Sequence, residues 1–231
     1  MKPRNVSLYW TRSISAITLS GALAMLFAFM VPEGSVIDQD SNTYKTVTIG
    51  DQVWMAENLR VKYFRNGDPI PRAKSKNEWL KMDKEQRPAW CYYENDRLNG
   101  EKYGLLYNWY AVNDPRGLAP EGWHIPDNKE WEALVKHLGG IEKAGAKLKA
   151  TEGWYKNDHA SNESGFNGLP GGKRVQGQGF SNIDNKANFW SATAFNKTYA
   201  WKYGMVYLSG RLLKSKTNDK AYGMSVRCIK D

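Results

Sequence analysis

Two cysteines and three histidines are the side chains best suited to chemistry in this chain of 231 residues. Cys91 lies in AWCYYEND and Cys228 in SVRCIKD, both in strand-like surroundings. In an exported protein an even pair is first a disulfide candidate. Closing so long a loop would stabilise the fold by up to about 5 kcal/mol in the chain-entropy description. Two buried free thiols, behaving as small hydrophobes, and a reactive dithiol stay open beside it. His124 sits between Trp123 and Ile125 ahead of a helix, His137 on the polar side of that helix, and His159 in a polar loop. None has a serine or cysteine nucleophile at a recognisable spacing. Gly171-Gly172-Lys173-Arg174 lacks the spacing and the lysine-threonine ending of a phosphate loop, so it reads as a turn.

Binding chemistry falls to the aromatics. Trp154, Tyr155, Trp201 and Tyr203 stand beside polar loop residues, where broad rigid rings could stack on sugars or meet a protein. They are the candidate ligand-binding residues, with core placement as the competing reading. Trp79, Trp109, Trp123, Trp131 and Trp190 fall in predicted elements and are read as core. No cofactor is expected.

The elements that must position these residues follow an N-terminal segment of a different kind. Lys2, Arg4 and Arg12 precede an uncharged apolar stretch, Ile14 to Val31, the layout of an export signal or membrane anchor. With the basic end held inside, everything after Pro32 faces out. Residues 1–35 are thus a signal or hydrophobic anchor helix, 36–43 a polar linker, and 44–231 one domain. The net charge is +9, of which the first 35 residues hold +2. A basic surface favours anionic partners such as acidic glycans or lipid headgroups. Its lysines and arginines are scattered, as at Lys143, Lys147, Lys214 and Lys216, which argues against nucleic acid.

Within the domain, alternation predicts a strand over 44–49 that turns at Gly50-Asp51 into a second strand through Val53 and Met55. Ser75 with Glu78 and Asp127 with Glu130 are capping boxes. The second opens a helix whose Trp131, Leu134, Val135 and Leu138 form one apolar stripe, closed by Gly139. A further helical piece is read over 140–150. Tyr103 to Val112 reads as a buried strand or short helix, 113–122 as a turn, and 123–126 as the lead into the helix at Asp127. Short strands then follow over 165–169, 188–194, 199–208 and 222–229, with 171–185 left as a long loop. The class is α+β, with few helices and a late antiparallel sheet.

Several runs together resemble one family. VTIGDQVWMAENLR (47–60), NGDPIP (66–71), CYYEND (91–96), YGLLYNWYAV (103–112), LAPEGWHIP (118–126), EWEALVKHLGG (130–140), GFNGLPGGKR (165–174), FWSAT (189–193) and SVRCIKD (225–231) are similar, in order, to the Fibrobacter succinogenes major paralogous domain. The resemblance implies an exported or lipid-anchored bacterial protein without established activity. It also implies a fold related to C-type lectin-like and formylglycine-generating-enzyme domains, with the last strand returning near the first and Cys228 able to approach Cys91. The Glu-Pro-Asn and Trp-Asn-Asp signatures of calcium-dependent lectins are missing. Asn113-Asp114, Asn157-Asp158 and Asn182 with Asp184 are the nearest oxygen clusters, each equally a turn or cap. The formylglycine-generating relatives hold copper on a cysteine pair, which Cys91 and Cys228 could imitate. The expectation is a non-catalytic extracytoplasmic binding or adhesion module for glycan or envelope protein. A copper- or thiol-dependent oxidoreductase and a purely structural envelope protein are the alternatives.

Overall fold

Alternation sets the architecture from the first long strand, because Tyr44 and Ile49 point to opposite faces and both are buried. The computed structural model describes residues 32–157 and 159–231, so the apolar segment 14–31 lies outside the described residues. Strand β1 (Ser35–Ile37) pairs antiparallel with β2 (Thr43–Ile49), which turns through Gly50-Asp51 into β3 (Gln52–Met55). Residues 36–43, expected as a linker, therefore belong to the folded domain. Buried Asp38 fixes their turn by accepting from Tyr44 Oη at 2.5 Å and from the Asp40 and Asn42 backbone N–H groups. Polar composition concealed a turn built around a carboxylate.

Both capping boxes form in full. Ser75 and Glu78 open α1 (Lys76–Lys84). Strand β4 (Trp90–Cys91), helix α2 (Arg97–Tyr103), strand β5 (Leu106–Tyr107) and helix α3 (Trp109–Val112) follow. The run 103–112 thus contains a strand and a short helix, divided at Asn108, whose Oδ1 accepts from Ala89 N and Ala111 N. Strand β6 (Trp123–His124) leads to α4 (Asn128–His137), opened by Asp127 and Glu130, and then to α5 (Ile141–Leu148). The rest is β7 (Gly171–Val175), β8 (Gly179–Ile183), β9 (Lys186–Ala194), β10 (Tyr199–Val206), β11 (Leu213–Asp219) and β12 (Ile229–Lys230). The fold is mixed α and β, with five α-helices among the described residues and antiparallel sheets. Among the described residues no helix is long and apolar enough to cross a membrane.

The strand order β1-β2-β3-β12-β6 returns the end of the chain to its beginning, with Ile229 opposite Trp54 and His124. A second sheet has the order β11-β10-β9. One apolar cluster holds Tyr44, Met55, Trp109, Trp190 and Val226. Another holds Ile49, Trp54, Trp131, Phe166, Phe189 and Tyr203. A third, smaller cluster gathers around Trp79 of α1. Trp79, Trp109, Trp123, Trp131 and Trp190 are all buried, as expected.

Three segments differ from expectation. The long loop over 171–185 is the β7–β8 hairpin. Gly172, at φ +66°, lets the strands meet, since a Cβ there would lie 2.7 Å from Ser181 O. Buried Arg174 ties the hairpin to α1 by donating to Ala73 O and Ser75 O at 3.1 and 2.7 Å. Residues 165–169 are not a strand, and β11 was not foreseen. The segment 222–229 is extended but changes partner along its length, bridging to Arg174, Tyr107 and Phe189 before β12.

Candidate binding face

The four aromatics singled out from sequence separate into two pairs. Tyr203 is buried, stacked on Trp131 of α4 with centroids 4.7 Å apart and planes 13° apart. Trp154 is buried in the same cluster, with Lys149 Nζ 5.0 Å over its ring. Neither offers a surface, because α4 and the aromatic cluster cover them. Tyr155 is 64% exposed and meets Tyr207 edge-on at 5.4 Å. Trp201 is partly buried and lies beside Phe195 at the end of β9.

The backbone accounts for the different fates of Trp201 and Tyr203. A register irregularity between Ala200 and Lys202 interrupts both ladders of β10 at Trp201, and such bulges re-aim side chains. Trp201 therefore joins Phe195, 5.8 Å away at 85°, outside the stack on Trp131. Lys214 places Nζ 4.4 Å over Trp201 while pairing with Glu132 of α4 at 2.5 Å. Lys216 places Nζ 5.0 Å over Phe195 and has no carboxylate within 4 Å among the described residues. Tyr199 is exposed nearby on the same strand as Trp201. The result is an open face of two rings flanked by two ammonium groups. Sequence reasoning missed Phe195 and took Lys214 and Lys216 as scattered charge. Their i, i+2 spacing, which places both on one face of a strand, was the available signal.

The cysteines are free and buried, which corrects the disulfide expectation. Trp90 pairs with Tyr107 and Cys91 with Leu106 across β4 and β5, so the hairpin has two faces. Trp90 and Tyr107 face the cluster that contains Cys228, whereas Cys91 and Leu106 face the Trp79 cluster. Strand alternation alone keeps the thiols apart. Burial pushes the Cys91 thiol up to about 11 and that of Cys228 higher still. Two protonated thiols on opposite sides of a hairpin do not fit a two-thiolate copper centre.

The remaining polar candidates are already engaged. Asp114 is forked by Arg116 at 2.8 and 2.9 Å, and Asp184 accepts from Tyr103 Oη at 2.6 Å. Asp158, of the Asn157-Asp158 pair, lies outside the described residues. Among the described residues no group of three or more His, Cys, Asp or Glu could hold a metal ion. His124 is a brace: Nδ1 meets Asp231 and Nε2 meets Glu130, each at 2.6 Å. It links β6, α4 and the end of the chain. His137 and His159 are exposed.

Comparison with known proteins fits the course of the chain just described. A family model described as the Fibrobacter succinogenes major domain matches residues 47–230, from within β2 to the end of β12. No curated protein matches the chain, and no solved structure matches it. The match takes in all five described α-helices and every strand from β3 to β12, and the chain belongs to the Fibrobacter succinogenes major domain family.

Proposed function

We propose that the chain is a non-catalytic, extracytoplasmic binding module that holds an acidic glycan of the cell envelope on the face made by Phe195, Trp201, Lys214 and Lys216. The basic and apolar N-terminal residues support an outward position, tethered if that segment is retained and secreted or periplasmic if it is removed. Early helices, late antiparallel strands and the return of β12 to β3 support the finer reading of a C-type lectin-like fold.

One observation carries the reading: two neighbouring rings at the surface with ammonium groups 4.4 and 5.0 Å from them. Rings supply the rigid apolar area on which a pyranose stacks. Lys216, with no carboxylate within 4 Å among the described residues, supplies charge for its acid groups, while Lys214 is held over Trp201 by Glu132. A glycan array probed with the full-length chain tests this. Uronate- or sulfate-bearing polysaccharides should bind, Trp201→Ala should weaken them at least tenfold, and added salt should weaken them further. An array blank for every polysaccharide would sink the reading in favour of a structural envelope role. The oxidoreductase alternative draws no support from the positions of Cys91 and Cys228.

A further inference from the structure

A groove of about 620 Å³ opens elsewhere on the molecule, between residues 60–62 that follow β3 and helix α2. That volume suits a small ligand of one or two sugar rings. Its lining includes Arg60, Lys62, Tyr92, Arg97 and Glu101. Three cations therefore face one carboxylate, and Glu101 is already paired with Arg97 at 2.7 Å, one helical turn away. The Arg60 guanidinium and the Lys62 ammonium form no ion pair within 4 Å among the described residues.

The Arg60 fork is held in place before any ligand arrives. Its Nε donates to Asn42 Oδ1 at 3.3 Å and one Nη donates to Thr43 O at 2.9 Å, while the guanidinium lies 4.7 Å over the Tyr44 ring. The other Nη has no protein partner among the described residues. Lys62 is exposed; its backbone N–H donates to Asp40 at 2.7 Å and its carbonyl accepts from Ile70 N at 2.8 Å, while its ammonium has no hydrogen-bond or ion-pair partner among the described residues. Tyr92 reaches the groove only by an edge: it is buried, with the Arg72 guanidinium 4.5 Å over its ring and Trp90 edge-on at 5.2 Å. Helix α2 admits that ring only because residue 100 is glycine: a Cβ there would lie 2.2 Å from the Tyr92 ring. A fixed guanidinium and an ammonium free to move, at the mouth of a groove of this size, recognise an anionic group carried on a small ring.

We infer that this groove is a second saccharide subsite, taking a uronate or sulfated sugar unit with its acid group between Arg60 and Lys62. The choice of a sugar rests on the glycan reading above; the groove itself is independent of the Phe195–Trp201 face. Two subsites on one polymer would raise avidity without any new contact.

Calorimetric titration of the full-length chain with digalacturonate, against its uncharged dimethyl ester, tests the inference. Digalacturonate should bind saturably and the ester at least tenfold more weakly. Lys62→Gln, a change at an exposed side chain, and Arg60→Lys, which keeps the charge but loses the fork, should each cost five- to tenfold. In a Trp201→Ala background, which removes the aromatic face, the groove should still bind digalacturonate saturably. Equal binding of the ester, unchanged affinity in both groove variants, or no saturable binding would overturn the subsite. Loss of digalacturonate binding in Trp201→Ala would overturn it too, and would leave the aromatic face as the binding site. Polysaccharide binding that Trp201→Ala leaves unchanged, with digalacturonate still bound in the groove, would sink only the earlier reading.

Discussion

His124 and Lys202 show how burial and neighbours set the charge of single residues. Burial pulls the pKa of His124 down, but hydrogen bonds to Asp231 and Glu130 outweigh it and the net shift is upward. A raised folded pKa adds stability that is fully present below the unfolded value near 6.5 and fades as pH climbs through the folded one. His124→Gln should therefore cost up to about 1 kcal/mol at pH 6, a figure kept small by the ring's partial exposure. Thermal melts should show that cost shrinking toward pH 8.5, and a pH-independent cost would remove the brace. Lys202 behaves oppositely. Burial, with Lys173 and Lys186 nearby, lowers it to about 8, and its ammonium donates to Asn188 Oδ1 at 2.7 Å with no carboxylate within 4 Å among the described residues. Below about 8 both folded and unfolded states hold the proton, so the burial cost is fully present. Between about 8 and 10.4 only the unfolded state holds it, and stability rises with pH. Lys202→Met should stabilise the protein by about 1 to 3 kcal/mol at pH 7 in urea unfolding, with the advantage fading toward pH 10.

At the scale of elements, the closing segment 222–229 is the seam of the fold. Along it Met224 pairs with Tyr107, Trp190 N donates to Ser225 O and Leu59 N to Val226 O, so three different parts of the chain meet one extended stretch. Arg227 locks the seam. Fully buried, it donates to Asn58 Oδ1 at 2.6 Å and to the backbone carbonyls of Met55, Phe166 and Asn167, with its guanidinium 4.3 Å over Phe166. Burial lowers its pKa to about 9. Removing it would strand several buried acceptors, each worth about 1 to 3 kcal/mol. Arg227→Ala should then lose at least about 3 kcal/mol, and Arg227→Lys should recover little of it because an ammonium cannot reproduce the fork. A loss below 1 kcal/mol in chemical denaturation would show that the carbonyls find other donors. The shape of this segment was only half legible in the sequence. SVRCIKD reads as a strand, and the chain is extended there, but no pattern announced that its partners change so often.

For the whole molecule, the five-stranded sheet lies between the Tyr44 cluster and the Trp131 cluster, which explains why aromatics are abundant yet seldom exposed. Two long rows of rings need two cores. The candidate binding surfaces lie outside those cores: the Phe195–Trp201 face beyond the reach of α4, and a charged groove beside Arg60 and Lys62. The sequence candidates Trp154, Tyr155, Trp201 and Tyr203 all come from the later half of the chain, and the proposed Phe195–Trp201 face keeps one of them. The groove draws instead on residues 42–105, which carried no binding signal because Arg60 and Lys62 lie far in sequence from Tyr92 and Arg97 and only the fold brings them together.

What local chemistry can specify, the sequence specified by itself. Both capping boxes, the hairpin at Gly50-Asp51, the apolar stripe of α4 and the five core tryptophans depend on residues within a few positions of one another, and all are present. The ordered motifs likewise sufficed for the family. Tertiary structure alone decided which side of each strand faces which core. That parity separates Cys91 from Cys228, buries Tyr203 while leaving Trp201 at the surface, and makes a hairpin of 171–185 through Arg174. The physical reason is that side-chain direction in a strand reverses at every residue, so one bulge or a change of partner reassigns burial without altering the local sequence pattern.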